Sequence, residues 1–477
     1  MEKHYDIIVI GAGSGGLGVS LFMAKVGLKT LLIDKTDQEI GGDCLNYGCV
    51  PSKALIHVSR LIKRAKEAEN FGLQTTGRPD LLKAQAYVKS KQDIIRKHEN
   101  AAFLRSEGMD VVLGNASFYD TRSVKVNDSI YKAKKIVLAT GSRPASLNIP
   151  GIEKIKQYNN ESIFDVEDLP KQLLVIGAGP IGMEIGQALR RLGSEVTIVD
   201  QNKNILLHDD SEVTNVLFER LKSEGIKFIL EAEVAEFKSA TEAAIKTKNG
   251  EMHQQSFDAV FVAVGRTFEL SPLQLDRAGI HVKNDSLVVN KHLRTTNKHV
   301  FVCGDIAGSL KFSHAAEQHA RLLLNNLFSP FKKALDNSHM SWVTFTDPEV
   351  ATFGLQESTL KKDDYSYERV EMDFDEDDRA VVDDHRYGKL ILFLTKGGLF
   401  KKQKILGGSM VAPGAGELIQ ELILANTVGL GINSIFNKIY PYPVASRINQ
   451  MLIVKHKEKQ LTERLKKMLR IIFRIFN

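Results

Sequence analysis

The sequence has little cysteine and no long hydrophobic run. Three cysteines in 477 residues are too few for a disulfide-stapled extracellular scaffold. No apolar stretch reaches the roughly 20 residues that a transmembrane helix needs. The first residues lead directly into an apolar strand and lack the pattern of a signal peptide. We therefore expect a cytoplasmic globular protein, and the chain length predicts several domains, each with its own core.

The positive charge is concentrated at the C-terminus. The segment from Lys455 to Asn477 contains eight basic and two acidic residues, and this excess equals the net charge of +6 of the whole chain. The remainder is close to neutral, so the composition does not support nucleic-acid binding.

The segment 461–477 has the periodicity of an amphipathic helix. Its predicted apolar face consists of Leu461, Leu465, Met468, Ile472 and Phe476. Its predicted basic face consists of Lys466, Lys467, Arg470 and Arg474. Phe473 departs from this pattern. Such a helix fits either an in-plane anchor on the anionic inner face of a membrane or a helix packed on its own dimer.

Two of the three cysteines, Cys44 and Cys49, lie in the stretch GGDCLNYGCVPSK that ends at Lys53. Pro51 suits the first position of a helix, and a helix N-terminus favours thiolate at Cys49. A disulfide across so short a loop would constrain the unfolded chain little, so the spacing favours a redox-active pair. A metal clip and two unrelated thiols are the alternatives. No histidine stands nearby at metal-ligand spacing, and no metal site is predicted.

Two glycine-rich loops each follow an apolar strand and precede an apolar helix. The first loop contains Gly11, Gly13 and Gly16, and the second contains Gly177, Gly179 and Gly182. In both copies an acid, Asp34 or Asp200, ends the next strand 23 residues after the first glycine. This pattern predicts two dinucleotide sites, with pyrophosphate at the helix N-terminus and the acid on ribose hydroxyls. The alternative for either copy is a structural unit that has lost its ligand.

Three further strand ends are candidate ligand contacts. A buried strand ends at Thr140 and Gly141, a similar one stops at Gly265, and a third places Asp305 at its end. Cys303 lies inside an apolar strand and is predicted to pack in the core. After residues 341–349 the composition changes, which predicts a separate C-terminal domain.

The combination of two dinucleotide folds with GGDCLNYGCVPSKAL resembles the pyridine nucleotide-disulfide oxidoreductases, which include glutathione reductase, dihydrolipoamide dehydrogenase and mercuric reductase. ATGSRP at 139–144, FVCGDIAG at 301–308 and FTDPEVATFGL at 345–355 are also similar to family motifs. The resemblance implies an α/β fold with two Rossmann-like dinucleotide-binding domains and an α+β C-terminal dimerisation domain. It implies FAD on the first loop, NAD(P)H on the second and a homodimer.

The expected organisation has five parts. They are an FAD-binding domain at 1–150, an NAD(P)-binding domain at 151–267, a second FAD or central part at 268–338, a dimerisation domain at 339–453 and a basic tail helix at 454–477.

The resemblance also assigns roles to residues. Lys53 would lie near the flavin and pair with Glu184, because a buried cation needs a counter-ion. Cys49 would be the thiol against the flavin, and Cys44 the interchange thiol that meets the substrate. The expected FAD contacts are Gly11, Gly13, Gly16, Asp34, Gly42, Lys53, Thr140, Gly141 and Asp305. The expected NAD(P) contacts are Gly177, Gly179, Gly182, Asp200 and Gly265.

Asp200 favours NADH, because a carboxylate repels a 2′-phosphate. Lys203 nearby leaves NADPH as the alternative.

The C-terminal motif departs from the family pattern. Disulfide reductases carry His-x-His-Pro-Thr-x-x-Glu from the partner subunit, whereas this chain has Tyr442 in place of the basic histidine and Arg447 in place of the glutamate. Tyr442 and the stretch 378–383 resemble mercuric reductases, but no cysteine follows Cys303 to collect the metal ion. Tyr442 is either an acid or hydrogen-bond donor in a different reaction, or a packing residue.

The predicted function is an FAD-dependent NAD(P)H oxidoreductase in cell redox homeostasis. Electrons pass through the Cys44–Cys49 disulfide to a small disulfide, a thiophilic metal ion or an oxidant. The alternatives are a membrane-associated NADH:quinone reductase or diaphorase and a low-turnover flavin redox sensor.

Overall fold

The computed structural model describes residues 3–308, 310–397 and 402–477. Its strands are β1 Lys3–Ile10, β2 Thr30–Asp34, β3 Asp110–Leu113, β4 Ala116–Phe118, β5 Ser123–Val126, β6 Ser129–Leu138, β7 Arg143–Pro144, β8 Gln157–Tyr158, β9 Gln172–Ile176, β10 Glu195–Asp200, β11 Lys227–Leu230, β12 Ala232–Ser239, β13 Glu242–Thr247, β14 Met252–Ser256, β15 Ala259–Val262, β16 Arg266–Thr267, β17 Val282–Lys283, β18 Ser286–Leu287, β19 Val300–Val302, β20 Ser341–Thr344, β21 Glu349–Gly354, β22 Tyr367–Asp373, β23 Lys389–Thr395 and β24 Ile405–Ala412.

The α-helices are α1 Ser14–Lys25, α2 Gly42–Asn46, α3 Cys49–Glu67, α4 Leu81–Arg96, α5 Ala101–Ser106, α6 Pro180–Leu192, α7 Ser211–Ser223, α8 Ser313–Phe328, α9 Glu357–Lys362, α10 Asp378–Val382, α11 Ala415–Leu418, α12 Gln420–Val428, α13 Asn433–Phe436, α14 Ile448–Lys459 and α15 Glu463–Phe476. The chain forms two compact units. The first unit contains residues 1–201 and 226–336, and the second contains residues 202–225 and 337–477.

The first sheet of the first unit has a parallel centre. Strands β3, β2, β1 and β6 pair in that order, and β19 also pairs with β6 in parallel. The apolar residues of β1 and β2 are almost all buried, as expected for strands covered on both faces. From β1 the chain continues outward to β2 and β3, and it then returns to the other side of β1 as β6. Such a switch point leaves a crevice at the carboxyl ends of the strands.

The second sheet of the first unit repeats this plan. Its order is β11, β10, β9, β15 and β8, with every pair parallel, and its switch point lies between β9 and β15. Strands β12, β13 and β14 form a separate antiparallel sheet, and Val234 and Phe237 of β12 and Ile245 of β13 belong to the same core as Val260 of β15. Two dinucleotide-type sheets therefore stand in one unit, as the repeated sequence pattern predicts.

The second unit contains an antiparallel sheet in the order β20, β21, β24, β23 and β22. Its core packs Phe353, Leu392 and Met410 of the sheet against Leu422 and Leu452 of the helices. This sheet with its helices corresponds to the α+β domain expected at the C-terminus.

Residues 202–225 differ from the expected division of the chain. The sequence assigns them to the domain at 151–267, but α7 packs against β21, β23 and β24 of the second unit. The buried residues Val213, Leu217 and Leu221 form the apolar face of α7, so this face turns toward the antiparallel sheet. The other expected domain limits remain predictions.

Candidate functional site

The first glycine-rich loop is a turn that only glycine can form. Gly11 has a φ of +102°, and a Cβ there would lie 2.3 Å from the carbonyl oxygen of Ala139. A Cβ at Gly16 would lie 1.9 Å from the carbonyl oxygen of Gly11. Helix α1 therefore packs directly against the end of β1, and the chain turns beside the end of β6.

The second loop has the same geometry, and its middle glycine has no close described neighbour at the position of a side chain. A Cβ at Gly177 would lie 2.4 Å from the carbonyl oxygen of Ala263, and a Cβ at Gly182 would lie 2.0 Å from that of Gly177. At Gly179, which caps α6, a Cβ would meet no described protein atom within 4 Å. The backbone N–H groups at the start of the helix adjoin this position, which fits an approaching pyrophosphate.

The middle glycine of the first loop is nearly as accessible. The nearest described atom to a Cβ at Gly13 would be the Cα of Gly42, at 3.7 Å. The converse contact is much tighter, because a Cβ on Gly42 would lie 2.7 Å from the Cα of Gly13. The start of α2 thus packs on the first loop at the position where the sequence places a cofactor contact.

The two strand-end acids hold their loops in the same way. Oδ2 of Asp34 accepts a hydrogen bond from the backbone N–H of Ala12 at 2.6 Å. Oδ2 of Asp200 accepts one from the N–H of Ala178 at 2.7 Å. Burial raises the pKa of Asp34 above its usual range, although its backbone hydrogen bonds oppose this shift. Each carboxylate oxygen has further lone pairs, so both acids can also accept from ribose hydroxyls.

The two cysteines lie on consecutive helices and are free thiols. Cys44 is in α2, and Cys49 is the first residue of α3, where Gly48 occupies the capping position. The expected helix start at Pro51 is therefore wrong by two residues, since the turn Tyr47–Gly48 already leads into the helix. Cys49 Sγ lies 3.3 Å from the Ser313 hydroxyl at the start of α8.

This arrangement stabilises a thiolate on Cys49. A hydrogen bond from the Cys44 thiol is the largest cause that lowers the pKa of Cys49, to about 6, and the Ser313 hydroxyl and the Lys53 charge lower it further. The pKa of Cys44 is raised, first by the same hydrogen bond and then by burial. The pair therefore contains one thiolate and one thiol near neutral pH.

Lys53 and Glu184 form an ion pair between helices. Lys53 lies one turn after Cys49 on α3, and its Nζ is 2.7 Å from Oε2 of Glu184 on α6. Glu184 is 4% exposed, whereas about a third of the Lys53 side chain remains accessible. The pair expected from the sequence is thus present, and it connects the cysteine helix to the helix of the second glycine-rich loop.

Sequence reasoning missed a polar network centred on Arg266. Its guanidinium lies 3.1 Å from Asp43 and donates to the Ser142 hydroxyl at 2.6 Å. Ser142 in turn donates to Asp305 at 2.5 Å. Burial raises the pKa of Asp305, whereas the hydrogen bond from Ser142 and the positive charge of Arg266 oppose that rise.

These contacts connect the residue before Cys44 to the strand-end acid. Asp43, Ser142 and Arg266 each lie directly beside a residue that the sequence singled out. Ser313 lies 264 residues from Cys49, and no sequence signal indicates it.

The other residues predicted at strand ends follow the carboxyl ends of β6 and β15. Thr140 and Gly141 follow β6, and Gly141 has a φ of +69°. Gly265 follows β15 with a φ of +127°, and its carbonyl accepts from the N–H of Ala145 at 3.0 Å. Cys303 is buried in the first-sheet core, which confirms its predicted packing role.

Tyr442 lies in the second unit, whereas both cysteines lie in the first. It is 68% exposed, and its hydroxyl donates to Oδ2 of Asp378 at 3.2 Å. The Arg447 guanidinium stands 5.5 Å from the centre of its ring. Tyr442 is therefore a surface residue held by an acid and a cation within its own unit.

Comparison with known proteins agrees with the family that the sequence motifs resemble. The family model described as pyridine nucleotide-disulphide oxidoreductase matches residues 5–320, and the model of its dimerisation domain matches residues 340–452. A dihydrolipoyl dehydrogenase from Thermus scotoductus is 32% identical over 453 residues, which is 93% of this chain and 95% of that protein. A mercuric reductase from Lysinibacillus sphaericus is 30% identical over 448 residues, or 92% of this chain and 80% of the relative.

A solved structure is also similar. The Cu(II) complex of the HOCl-induced flavoprotein disulfide reductase RclA from Escherichia coli has a TM-score of 0.82 and 25% identity, and the match covers 95% of this chain and 99% of that one. The predicted family, fold class, type of enzyme and cofactors are thereby confirmed. The dimerisation domain supports a homodimer. The chain belongs to the pyridine nucleotide-disulphide oxidoreductases, a family of FAD-dependent enzymes that use NAD(P)H.

Proposed function

We propose that this enzyme uses the Cys44–Cys49 pair to pass electrons from NAD(P)H to a thiophilic metal ion or a reactive oxidant. The observation that carries the proposal is the environment of Cys49, whose pKa of about 6 follows from hydrogen bonds with Cys44 and Ser313 and from the nearby charge of Lys53. A thiolate is the form of cysteine that binds soft metals and attacks oxidants.

In this proposal, two separate groups of residues would hold the two cofactors. FAD would be held by Gly13 and Asp34, with Asp305 on the flavin side. NAD(P)H would be held by Gly179 and Asp200. When bound, the two cofactors supply the electron pair that the cysteine pair passes on. The Asp200 carboxylate favours NADH, because it would repel a 2′-phosphate.

The electron balance is that of a dithiol. Formation of a disulfide from the Cys44 thiol and the Cys49 thiolate releases two electrons and one proton. Two electrons reduce one divalent mercury ion to the metal or two copper(II) ions to copper(I). The relatives named above, a mercuric reductase and a flavoprotein disulfide reductase in a Cu(II) complex, make these ions the first acceptors to test.

Tyr442 favours such acceptors over small organic disulfides. A phenol donates a hydrogen bond near neutral pH, and Tyr442 already donates to Asp378. Exchange with lipoamide or glutathione requires a base for the interchange thiol, which family members supply as a histidine. A metal ion or hypohalous oxidant reacts with the thiolate and needs no protonated leaving thiol.

The test is anaerobic NADH oxidation by the FAD-loaded full chain with copper(II), mercury(II), lipoamide and a soluble quinone as separate acceptors. Metal-ion reduction should exceed lipoamide reduction and should collapse in Cys44→Ser and Cys49→Ser. Metal reduction by both variants at the rate of the unchanged chain would disprove the proposal. A quinone activity that alone survives in these variants would instead favour the quinone reductase, and negligible turnover with every acceptor would favour the redox sensor.

The finer partner and location assignments are proposals too. We propose a cytoplasmic location and contact with an anionic membrane surface, and this contact concerns α15 rather than the cysteines. No helix in the described part of the chain is both long and apolar enough to cross a membrane.

A further inference from the structure

Helix α15 exposes a broad apolar surface. It runs from Glu463 to Phe476 and begins at Thr462, whose hydroxyl accepts from the N–H of Leu465 at 3.3 Å. Its exposed apolar side chains are Met468, Leu469, Ile471, Ile472, Phe473, Ile475 and Phe476. Phe476 is 79% exposed and Ile475 69%. No described residue of the chain buries this surface, because every side chain of α15 is at least partly exposed.

The polar residues of the helix occupy a narrow sector. At about 100° per residue, Lys466, Lys467, Arg470, Arg474 and Glu463 fall within an arc of roughly 100°. The apolar residues occupy the other side of the helix. Around the helix axis they cover an arc of roughly 200°, with Ile471 at one edge and Phe473 at the other. Phe473, which the sequence pattern leaves unexplained, borders the basic sector. Arg464 alone lies within the apolar arc, near the start of the helix, where a long side chain can reach water.

The charge of α15 is strongly positive. The helix has five basic residues and one acid, for a net charge of +4. The acid, Glu463, lies 2.9 Å from Lys466 and 3.7 Å from Arg470, so its charge is already compensated within the helix. A surface that complements α15 must therefore offer apolar groups to the apolar residues of the helix and negative charge to its basic residues.

These observations distinguish a lipid surface from a protein partner. A helix that packs on another helix usually presents a narrower apolar stripe, whereas an arc of about 200° suits immersion in an interface. The segment also lies outside the dimerisation domain, whose match ends at residue 452. At about 1.5 Å per residue the helix is roughly 20 Å long, which suits a position in the membrane plane.

We propose that α15 lies in the plane of an anionic lipid surface, with Ile472, Ile475 and Phe476 in the acyl boundary and its basic sector at the lipid phosphates. The proposal concerns where the enzyme acts and does not depend on the identity of its electron acceptor. The C-terminal half inserts more deeply, because Ile471 and the apolar residues after it are interrupted only by Arg474.

Co-sedimentation of the FAD-loaded full chain with vesicles tests this position. Vesicles of phosphatidylcholine with about one-third phosphatidylserine should bind the protein at least ~10-fold more strongly than phosphatidylcholine alone at low salt. The triple variant Phe473→Ser, Ile475→Ser, Phe476→Ser should lose binding to both. The variant Lys467→Gln, Arg470→Gln, Arg474→Gln should lose only the preference for phosphatidylserine.

The control is Phe71→Ser, which removes from another part of the chain an aromatic residue that is 88% exposed and thus more exposed than Phe473 or Phe476. It should bind vesicles as the unchanged chain does. The unchanged chain and its three variants should all oxidise NADH equally fast with a soluble acceptor. Failure of the proposed function would therefore appear in the NADH oxidation assay and not in the sedimentation assay. Unchanged vesicle binding by the apolar triple variant would overturn the proposal. So would loss of the dimer in that variant by analytical ultracentrifugation, because α15 would then pack on a second copy.

Discussion

Lys53 Nζ lies 2.7 Å from Oε2 of Glu184, and this contact connects the helix that begins with Cys49 to the helix that follows the second glycine-rich loop. The lysine also contributes to the lowered pKa of Cys49. One buried carboxylate therefore fixes a cation whose charge stabilises the thiolate. The pair therefore connects the helix after the second glycine-rich loop to the cysteine pair.

Glu184→Gln should destabilise the protein by about 1–2 kcal/mol. Breaking a buried ion pair usually costs more, but Lys53 is a third exposed and water screens part of the loss. Urea unfolding monitored by circular dichroism measures the change. Asp93→Asn is the matched control, because Asp93 forms an exposed pair with Lys89 at 3.6 Å. A loss as small as that of the control would show that the pair contributes no stability.

Ser313→Ala should raise the pKa of Cys49. The Ser313 hydroxyl stabilises the thiolate, so its removal favours the protonated form. The ultraviolet absorbance of the thiolate in the reduced protein, followed against pH, gives the midpoint. Ser52→Ala is the control, because Ser52 donates to the carbonyl of Cys49 at 3.4 Å rather than to its sulfur. Identical midpoints in the two variants would contradict a role for Ser313.

Alkylation of Cys49 should increase as the pH rises through about 6. Its pKa in the folded protein is depressed, so Cys49 is protonated and unreactive only below this pH. Its conversion to the reactive thiolate should be nearly complete well below the pKa of about 8.5 of an ordinary cysteine. Cys303 should not react in this range, because burial raises its pKa to about 12. In Cys44→Ala the midpoint should move upward. Peptide mass spectrometry of the alkylated protein identifies the site, and an unshifted midpoint would argue against the hydrogen bond between the two thiols.

Gly179→Ala and Gly182→Ala should fail in different ways. A Cβ at Gly182 would lie 2.0 Å from a backbone oxygen, so this variant should unfold at a lower temperature. A Cβ at Gly179 meets no described protein atom within 4 Å, so the fold should persist while the KM for NADH rises roughly 10-fold or more. Thermal unfolding and steady-state kinetics separate the two effects. A normal KM in Gly179→Ala would mean that the pyrophosphate does not lie above this loop.

Tyr442→Phe should leave stability within about 0.5 kcal/mol, because the side chain is largely exposed. If the hydroxyl acts as a donor to the substrate, kcat with the metal-ion acceptor should fall about 10-fold or more. Asp378→Asn should lower kcat less, because it removes only the group that orients the hydroxyl. Unchanged kcat in Tyr442→Phe would assign the residue to packing.

The repeated parts of the fold could be predicted because their constraints are local. The spacing from Gly11 to Asp34 and from Gly177 to Asp200 follows from one strand, one tight turn and one helix. The cysteine pair is likewise contained in a single short stretch. Each of these patterns requires particular residues at fixed separations, and the backbone contacts at Gly16 and Gly182 show the steric reason.

The sequence by itself determined the family, the two dinucleotide folds, the cysteine pair and the amphipathic tail. Only the tertiary structure brought Ser313 to Cys49, joined Arg266 to Asp43 and Ser142, and placed α7 with the antiparallel sheet. It also paired Tyr442 with Asp378. These relationships join residues that are far apart in the chain, and they depend on the packing of whole elements, which periodicity and spacing do not encode.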